Sequence, residues 1–189
     1  MMGSRINATQ AAGYRGRGFS LIEVLVTILI LMVGLLGLAG LQGRALTAQM
    51  ESYQRSQALI LLKDMADRIN ANRKNAASYV TAGLGTGAAC PAVVAGNIAS
   101  ADLNEWCEAL LGAAETQGGA SVGAMIGARG CVYEITPLVA GVMGEYLIAI
   151  AWQGLNSTAV PAVDCGEGAY GNEAKRRVVT LPISIASLI

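Results

Sequence analysis

The 189-residue sequence contains no histidine. That excludes a Ser-His-Asp triad, a Cys-His pair, histidine general-base chemistry and histidine-ligated zinc. Charge is also scarce, at 14% of residues against roughly 25% in soluble domains. Lysine plus arginine equals aspartate plus glutamate, 13 against 13, so there is no basic field to hold nucleic acid. Phenylalanine occurs once and proline four times. What is abundant is apolar: 53% of the chain, with a mean hydropathy of +0.48, which suits a membrane-attached or exported protein better than a cytoplasmic enzyme. The 24 glycines imply long surface loops over a modest core. The length allows one ordinary domain plus an extension.

The four cysteines, Cys90, Cys107, Cys131 and Cys165, all lie in the C-terminal half. No C-x-x-C occurs, so a four-cysteine zinc site lacks its paired spacing and a thioredoxin-type motif is ruled out. An even count in an exported segment favours two disulfides over reduced, buried thiols. Three connectivities are open.

The first forty residues carry most of the information. Residues 1–18 are polar, with Arg5, Arg15 and Arg17 and no acid. Residues 19–41 then run apolar with a single charge, Glu23. About 20 apolar residues in a helix cross a bilayer core, and the preceding arginines should stay cytoplasmic, leaving everything after Leu41 outside. No small-residue cleavage site follows Leu41, so an ordinary secretory signal fits poorly. A plain signal anchor would fit, but for Glu23. A carboxylate at the centre of a transmembrane segment costs roughly 2.5–3.5 kcal/mol on insertion scales, and such residues are usually paired and functional.

Gly18 followed by Phe19-Ser20-Leu21-Ile22-Glu23, after a short basic leader, resembles the class III signal of type IV pilins and pseudopilins. The resemblance implies that prepilin peptidase cuts between Gly18 and Phe19 on the cytoplasmic side and methylates the new amine of Phe19. It also implies a role for Glu23 in subunit registry, since a neighbour's carboxylate can neutralise that amine where water is scarce. The implied layout is a leader over 1–18, a transmembrane or filament-core helix over 19–41, its amphipathic continuation over 42–73 and a periplasmic head over 74–189. The implied location is the inner membrane, single pass with the N-terminus cytoplasmic, then the pilus at the cell surface. The implied partners are prepilin peptidase, other minor pilins, the major pilin and the inner-membrane assembly platform. No cofactor, metal or nucleic acid is expected.

From Gln42 to Arg73 there is no proline, and Leu46, Met50, Tyr53, Ile60, Leu61, Met65 and Ile69 keep a broadly helical spacing. A helix from Phe19 to Arg73 would be about 80 Å long, its outer half packing one stripe onto the head. Gly34, Gly37, Gly40 and Gly43 recur every third residue. Close packing through small residues and a weak spot costing about 1 kcal/mol per glycine compete as explanations, with no role as the third.

In the head, Gly83-Leu84-Gly85-Thr86-Gly87 opens a loop to about Ala99, without the Gly-Lys-Ser/Thr ending of a phosphate cradle. Ser100 is placed to cap a short helix in which Leu103, Trp106, Cys107, Leu110 and Leu111 recur. Trp106 reads as core, and Asp102, Glu105 and Glu108 read as a solvated edge rather than paired catalytic carboxylates. A glycine-rich loop over Gly112–Gly130 holds one charge pair, Glu115 and Arg129. Strands are expected over Cys131–Leu138, Glu145–Gln153 and Arg176–Ala186, the first two joined by a hairpin over Val139–Gly144. Pro182 argues for an edge strand or a bulge. The Gly154–Lys175 connection is long and needs tethering. These placements favour Cys90–Cys107, closing a loop onto the short helix, and Cys131–Cys165, tying the sheet to that connection. The fold class is α+β, a long N-terminal helix packed on a small antiparallel sheet.

The run Phe19 to Val26 leading into Gly34 to Gln42, with Asp102-Leu103-Asn104-Glu105-Trp106 and the strand Tyr146 to Trp152, resembles the type IV pilus modification protein, the PilV-type minor pilin. That resemblance implies a non-catalytic structural subunit that helps initiate or modify pilus assembly, in twitching and adhesion. A minor pseudopilin of a type II secretion system is the close alternative, and an adhesin-type tip subunit a further one. Removing the leader leaves 10 basic against 13 acidic residues, so the head is no electrostatic trap for DNA.

Overall fold

The computed structural model describes residues 18–112, 116–117, 120–121, 123 and 125–187. Helix α1 spans Leu21–Ala71. It starts where the Ser20 carbonyl accepts the N–H groups of Glu23 (3.0 Å) and Val24 (3.3 Å). Glu23 in its first turn and Arg68 in its last oppose the end charges of the helix dipole. The glycines at 34, 37, 40 and 43 do not interrupt it, and a Cβ at any of them would meet nothing within 4 Å. Among the described residues, no neighbouring element packs against Gly34, Gly37 or Gly40. A 3-10 segment, Arg73–Tyr79, follows the helix.

The chain divides into two compact units between Arg44 and Ala45. In the second unit, α1 buries Gln54, Ala58, Leu62, Met65, Ala66 and Ile69. Met65, Ile69 and the partly buried Leu61 lie in or against the core, as their spacing suggests. Leu46, Met50, Tyr53 and Ile60 do not: they are 62%, 55%, 53% and 59% exposed. The stripe at 54, 58, 62, 65/66 and 69 follows the 3.6-residue period, and its alanines let the head approach closely.

The sheet contains strands β1 (Thr81–Gly85), β4 (Arg129–Thr136), β5 (Gly144–Gln153) and β6 (Arg176–Ile185), in the antiparallel order β1-β4-β5-β6. Strands β2 (Thr116–Gln117) and β3 (Ala120–Ser121) form a separate two-residue ladder inside the glycine-rich segment. Glu115 lies outside the described residues. Gly83 to Gly85 belong to β1 rather than opening a loop, because β1 pairs with β4 through Leu84↔Gly130 and Gly85↔Arg129. At Gly85, φ is +103° and a Cβ would come within 2.5 Å of the Ala128 carbonyl oxygen, so only glycine fits that approach. Strand β4 begins two residues before Cys131 and ends at Thr136.

Strand β5 is covered on both faces. Tyr146, Ile148, Ile150 and Trp152 enter the main core with α1 and α2 (Ile98–Leu110). Ala149 and Ala151 enter a second cluster with Cys131 and Cys165. Strand β6 is an edge, and the register runs unbroken through Leu147↔Pro182. Pro182 therefore marks the edge and not a bulge. The N-cap of α2 is Asn97, whose Oδ1 accepts the Ser100 N–H at 3.2 Å, while the Ser100 hydroxyl donates to the Asn97 carbonyl at 2.8 Å. Asparagine caps as well as serine, and Ile98, not a later residue, begins the helix.

Cys90 pairs with Cys107 (Cα–Cα 5.5 Å) and Cys131 with Cys165 (Cα–Cα 5.9 Å), both within ordinary disulfide reach. The Gly154–Lys175 connection has a second tether besides Cys165. Arg176 is 2% exposed and donates to the carbonyls of Val163, Cys165 (3.1 Å) and Pro161 (3.3 Å) and to the Glu173 carboxylate. Burying a guanidinium is tolerable only with such a full set of acceptors.

Candidate functional site

Gly18, Phe19 and Ser20 precede the first turn of α1 in non-helical backbone, and all three are exposed. Phe19 is 83% exposed. A peptide bond outside any hydrogen-bonded element is accessible to a peptidase without local unfolding. Glu23 is exposed one turn further on, and among the described residues nothing bonds to its carboxylate. From Leu21 to Leu41 no side chain is buried, and the helix is long and apolar enough to cross a membrane. Such a surface is stable only in lipid or against other apolar helices.

The cysteines belong to the second unit, and their pairing there is structural. Helix α2 is fixed to α1 by the Trp106 indole N–H, which donates to the Leu61 carbonyl at 2.9 Å. An ionic cluster adds to this. Arg68 pairs with Asp64 (3.0 Å), Asp102 (2.9 Å) and Glu105 (2.8 Å). Asp102, its side chain 17% exposed, is therefore not part of the solvated edge its spacing suggests, whereas Glu105 (63%) and Glu108 remain exposed. Tyr79, fully buried, donates its hydroxyl to Asp102 and accepts from Asn72 Nδ2 at 3.2 Å. Burial, then the Asp102 carboxylate, pushes the Tyr79 phenol up to about 12. On the far side of the sheet, burial pushes Tyr170 up to about 12. Glu173 is held below the usual carboxylate range by the Gly168 N–H and then by Arg176.

These groups build a framework. Arg68, Asp102 and Tyr79 satisfy one another, and Arg177 is matched with Glu51 (3.3 Å) at a cleft of about 380 Å³ that also includes Ser52, Arg55 and Trp152. Among the described residues no group of three or more metal-ligating side chains is brought together, and every cysteine is in a disulfide. Sequence reading missed Arg68, Tyr79 and Arg176. A lone arginine just before a polar turn carries no local signal of burial.

A family model described as Type IV pilin Tt1218 matches residues 40–100, and a model of the prokaryotic N-terminal methylation motif matches residues 14–39. No curated protein matches significantly, and no solved structure does. The two matches adjoin and run through α1, β1 and the Cys90 loop to the start of α2. Pilin families are structural subunits, and their class III signal implies processing by prepilin peptidase and assembly with other pilins. With that signal at the head of an exposed apolar helix and an α+β unit beyond it, the chain is a type IV pilin-like protein.

Proposed function

We propose that this chain is a minor pilin of a type IV pilus, of the pilus-modification type, which helps initiate or modify assembly and catalyses nothing. The observation that carries the reading is the exposed Gly18-Phe19 junction, followed by an apolar helix whose one carboxylate, Glu23, is unbonded among the described residues. Cutting after Gly18 and methylating Phe19 leaves a positive amine at the start of that helix. In a low-dielectric surrounding, attraction between unit charges rises steeply, while a desolvated charge without a partner is costly. Pairing the Phe19 amine with a neighbour's Glu23 therefore sets the axial stagger between subunits. Registry follows from the penalty for mispairing.

On this reading the chain enters the inner membrane with its N-terminus cytoplasmic and its head periplasmic, and then joins the filament. Its partners are prepilin peptidase, the assembly platform, other minor pilins and the major pilin. A minor pseudopilin of a type II secretion system is the second reading, because the methylation motif over 14–39 serves pseudopilins equally; an adhesin-type tip subunit is a third. Gene deletion separates the first two. Surface pili and twitching should fall sharply, with recovery by the wild type and not by Glu23→Ala. Unchanged piliation with failed export of a folded enzyme would overturn the pilus reading in favour of the secretion one.

A further inference from the structure

The turn that ends α1 places two cations side by side. Arg73 and Lys74 are both exposed, and among the described residues neither side chain is hydrogen-bonded or paired to a carboxylate. Elsewhere in the head, Lys63, Arg68, Arg176 and Arg177 each have a carboxylate partner. Arg73 and Lys74 line a groove of about 290 Å³ with Leu138, Val139 and Ser187. Its apolar wall is the β4–β5 hairpin, where Val139 and Val142 form a bridge. Val139 is 51% exposed and its bridge partner Val142 45%. Cations after a helix C-terminus offset its dipole by about 0.3–1 kcal/mol. That accounts for the charges but not for the exposed Val139 that shares the groove with them.

We infer that this groove docks a segment of a neighbouring polypeptide subunit, one presenting an aliphatic side chain flanked by carboxylates. The inference rests on the reading of the chain as an assembly subunit. Charge complementarity selects the occupant, since two cations and, among the described residues, no acidic side chain line the groove. The volume is about twice the ~150 Å³ of an engineered cavity that takes up benzene, enough for one aliphatic side chain against Leu138 and Val139. Arg73 supplies a planar fork suited to a carboxylate, and Lys74 a second donor. Apolar burial holds the segment while the charges fix its direction.

The test uses the full chain in cells, with a photo-crosslinking amino acid at Val139 and, in a separate strain, at Leu25. The Val139 probe should yield a peptide of another pilin-like subunit with Asp or Glu within a few residues of the crosslink. Arg73→Glu with Lys74→Glu should cut that yield at least about tenfold, and Arg73→Lys with Lys74→Arg should largely keep it. Both residues are exposed, so the head should keep its two disulfides and its trypsin resistance, which are checked in parallel. A crosslink to lipid, a partner peptide without carboxylates, or a yield indifferent to charge reversal would overturn the inference. Failure of Leu25 to crosslink to any pilin-like subunit would instead overturn the assembly reading.

Discussion

Gly130→Ala should destabilise the head far more than one added methyl group suggests. A Cβ at this position would stand 2.1 Å from Trp106 Cη2, 2.5 Å from Cζ3 and 2.7 Å from Leu110 Cδ1. Neither wall can retreat. Trp106 is 0% exposed and bonded to the Leu61 carbonyl, and its neighbour Cys107 is tied to Cys90. Gly130 is paired on both sides, with Leu84 and Ile150, and its neighbour Cys131 is tied to Cys165. Overpacking costs about 1–3 kcal/mol, and this site should lie near 3, above the 0.5–1 kcal/mol that alanine gains over glycine within a regular element. At roughly 2–4 °C per kcal/mol for a chain of this size, Tm should fall by about 6–12 °C. The assay is thermal unfolding of the processed chain in detergent, followed by near-ultraviolet circular dichroism. Gly83→Ala is the control, because a Cβ there meets nothing within 4 Å, and it should be neutral or slightly stabilising. Trp106→Phe removes the atoms that clash, so the double variant should be less destabilised than the sum of the singles by about 1 kcal/mol or more. A Gly130→Ala chain melting within about 2 °C of the wild type, or strict additivity with Trp106→Phe, would refute this account of the packing.

Intact mass from membranes should give a mature chain beginning at N-methylated Phe19, 171 residues long (189 less the 18 of the leader); Gly18→Leu should leave the precursor uncut, and a terminus at Met1 in the wild type would refute the processing. Graded reduction with alkylation and peptide mapping should open Cys90–Cys107 before Cys131–Cys165, because Cys90 is only partly buried while Cys131 and Cys165 are both 0% exposed. Tyr79 sets an alkaline limit. Its folded phenol titrates near 12 against an ordinary 10.0, so its contribution is complete below pH 10 and is lost as pH rises from 10 towards 12. Denaturant unfolding of Tyr79→Phe should show a shallower decline over that window, and an identical slope would sink the assignment.

The parts readable in one dimension are those whose signal is local. The junction at Gly18 and Phe19, Glu23 one turn later and the long apolar run are contiguous, so their order alone marks the signal and the helix. Strands β5 and β6 were legible because Tyr146, Ile148, Ile150 and Trp152, and Val179, Leu181 and Ile183, alternate strictly, and alternation needs no partner to be visible. The placement of Cys131 at the start of the sheet and Cys165 in a long connection already brings the two together once the strands are drawn.

Tertiary structure decided what depends on residues far apart in sequence. Leu46, Met50, Tyr53 and Ile60 share the helical period of α1 with the buried residues, and only the approach of the head selects Gln54, Ala58, Leu62 and Ala66 for burial. Strand β1 exists because β4 offers Gly130 and Arg129 to Leu84 and Gly85; alone, three glycines in seven residues read as loop. Arg68 meets Asp102 across 34 residues and Tyr79 meets it across 23, so a carboxylate that looks solvated from α2 alone becomes the centre of a clamp between helices. The sequence determined the class of protein and its elements, because the helix and strand periods and the signal motif are local properties. The buried faces, the fourth strand and the ionic clamp are set by long-range contact, because burial and charge pairing belong to positions in space and not to positions along the chain.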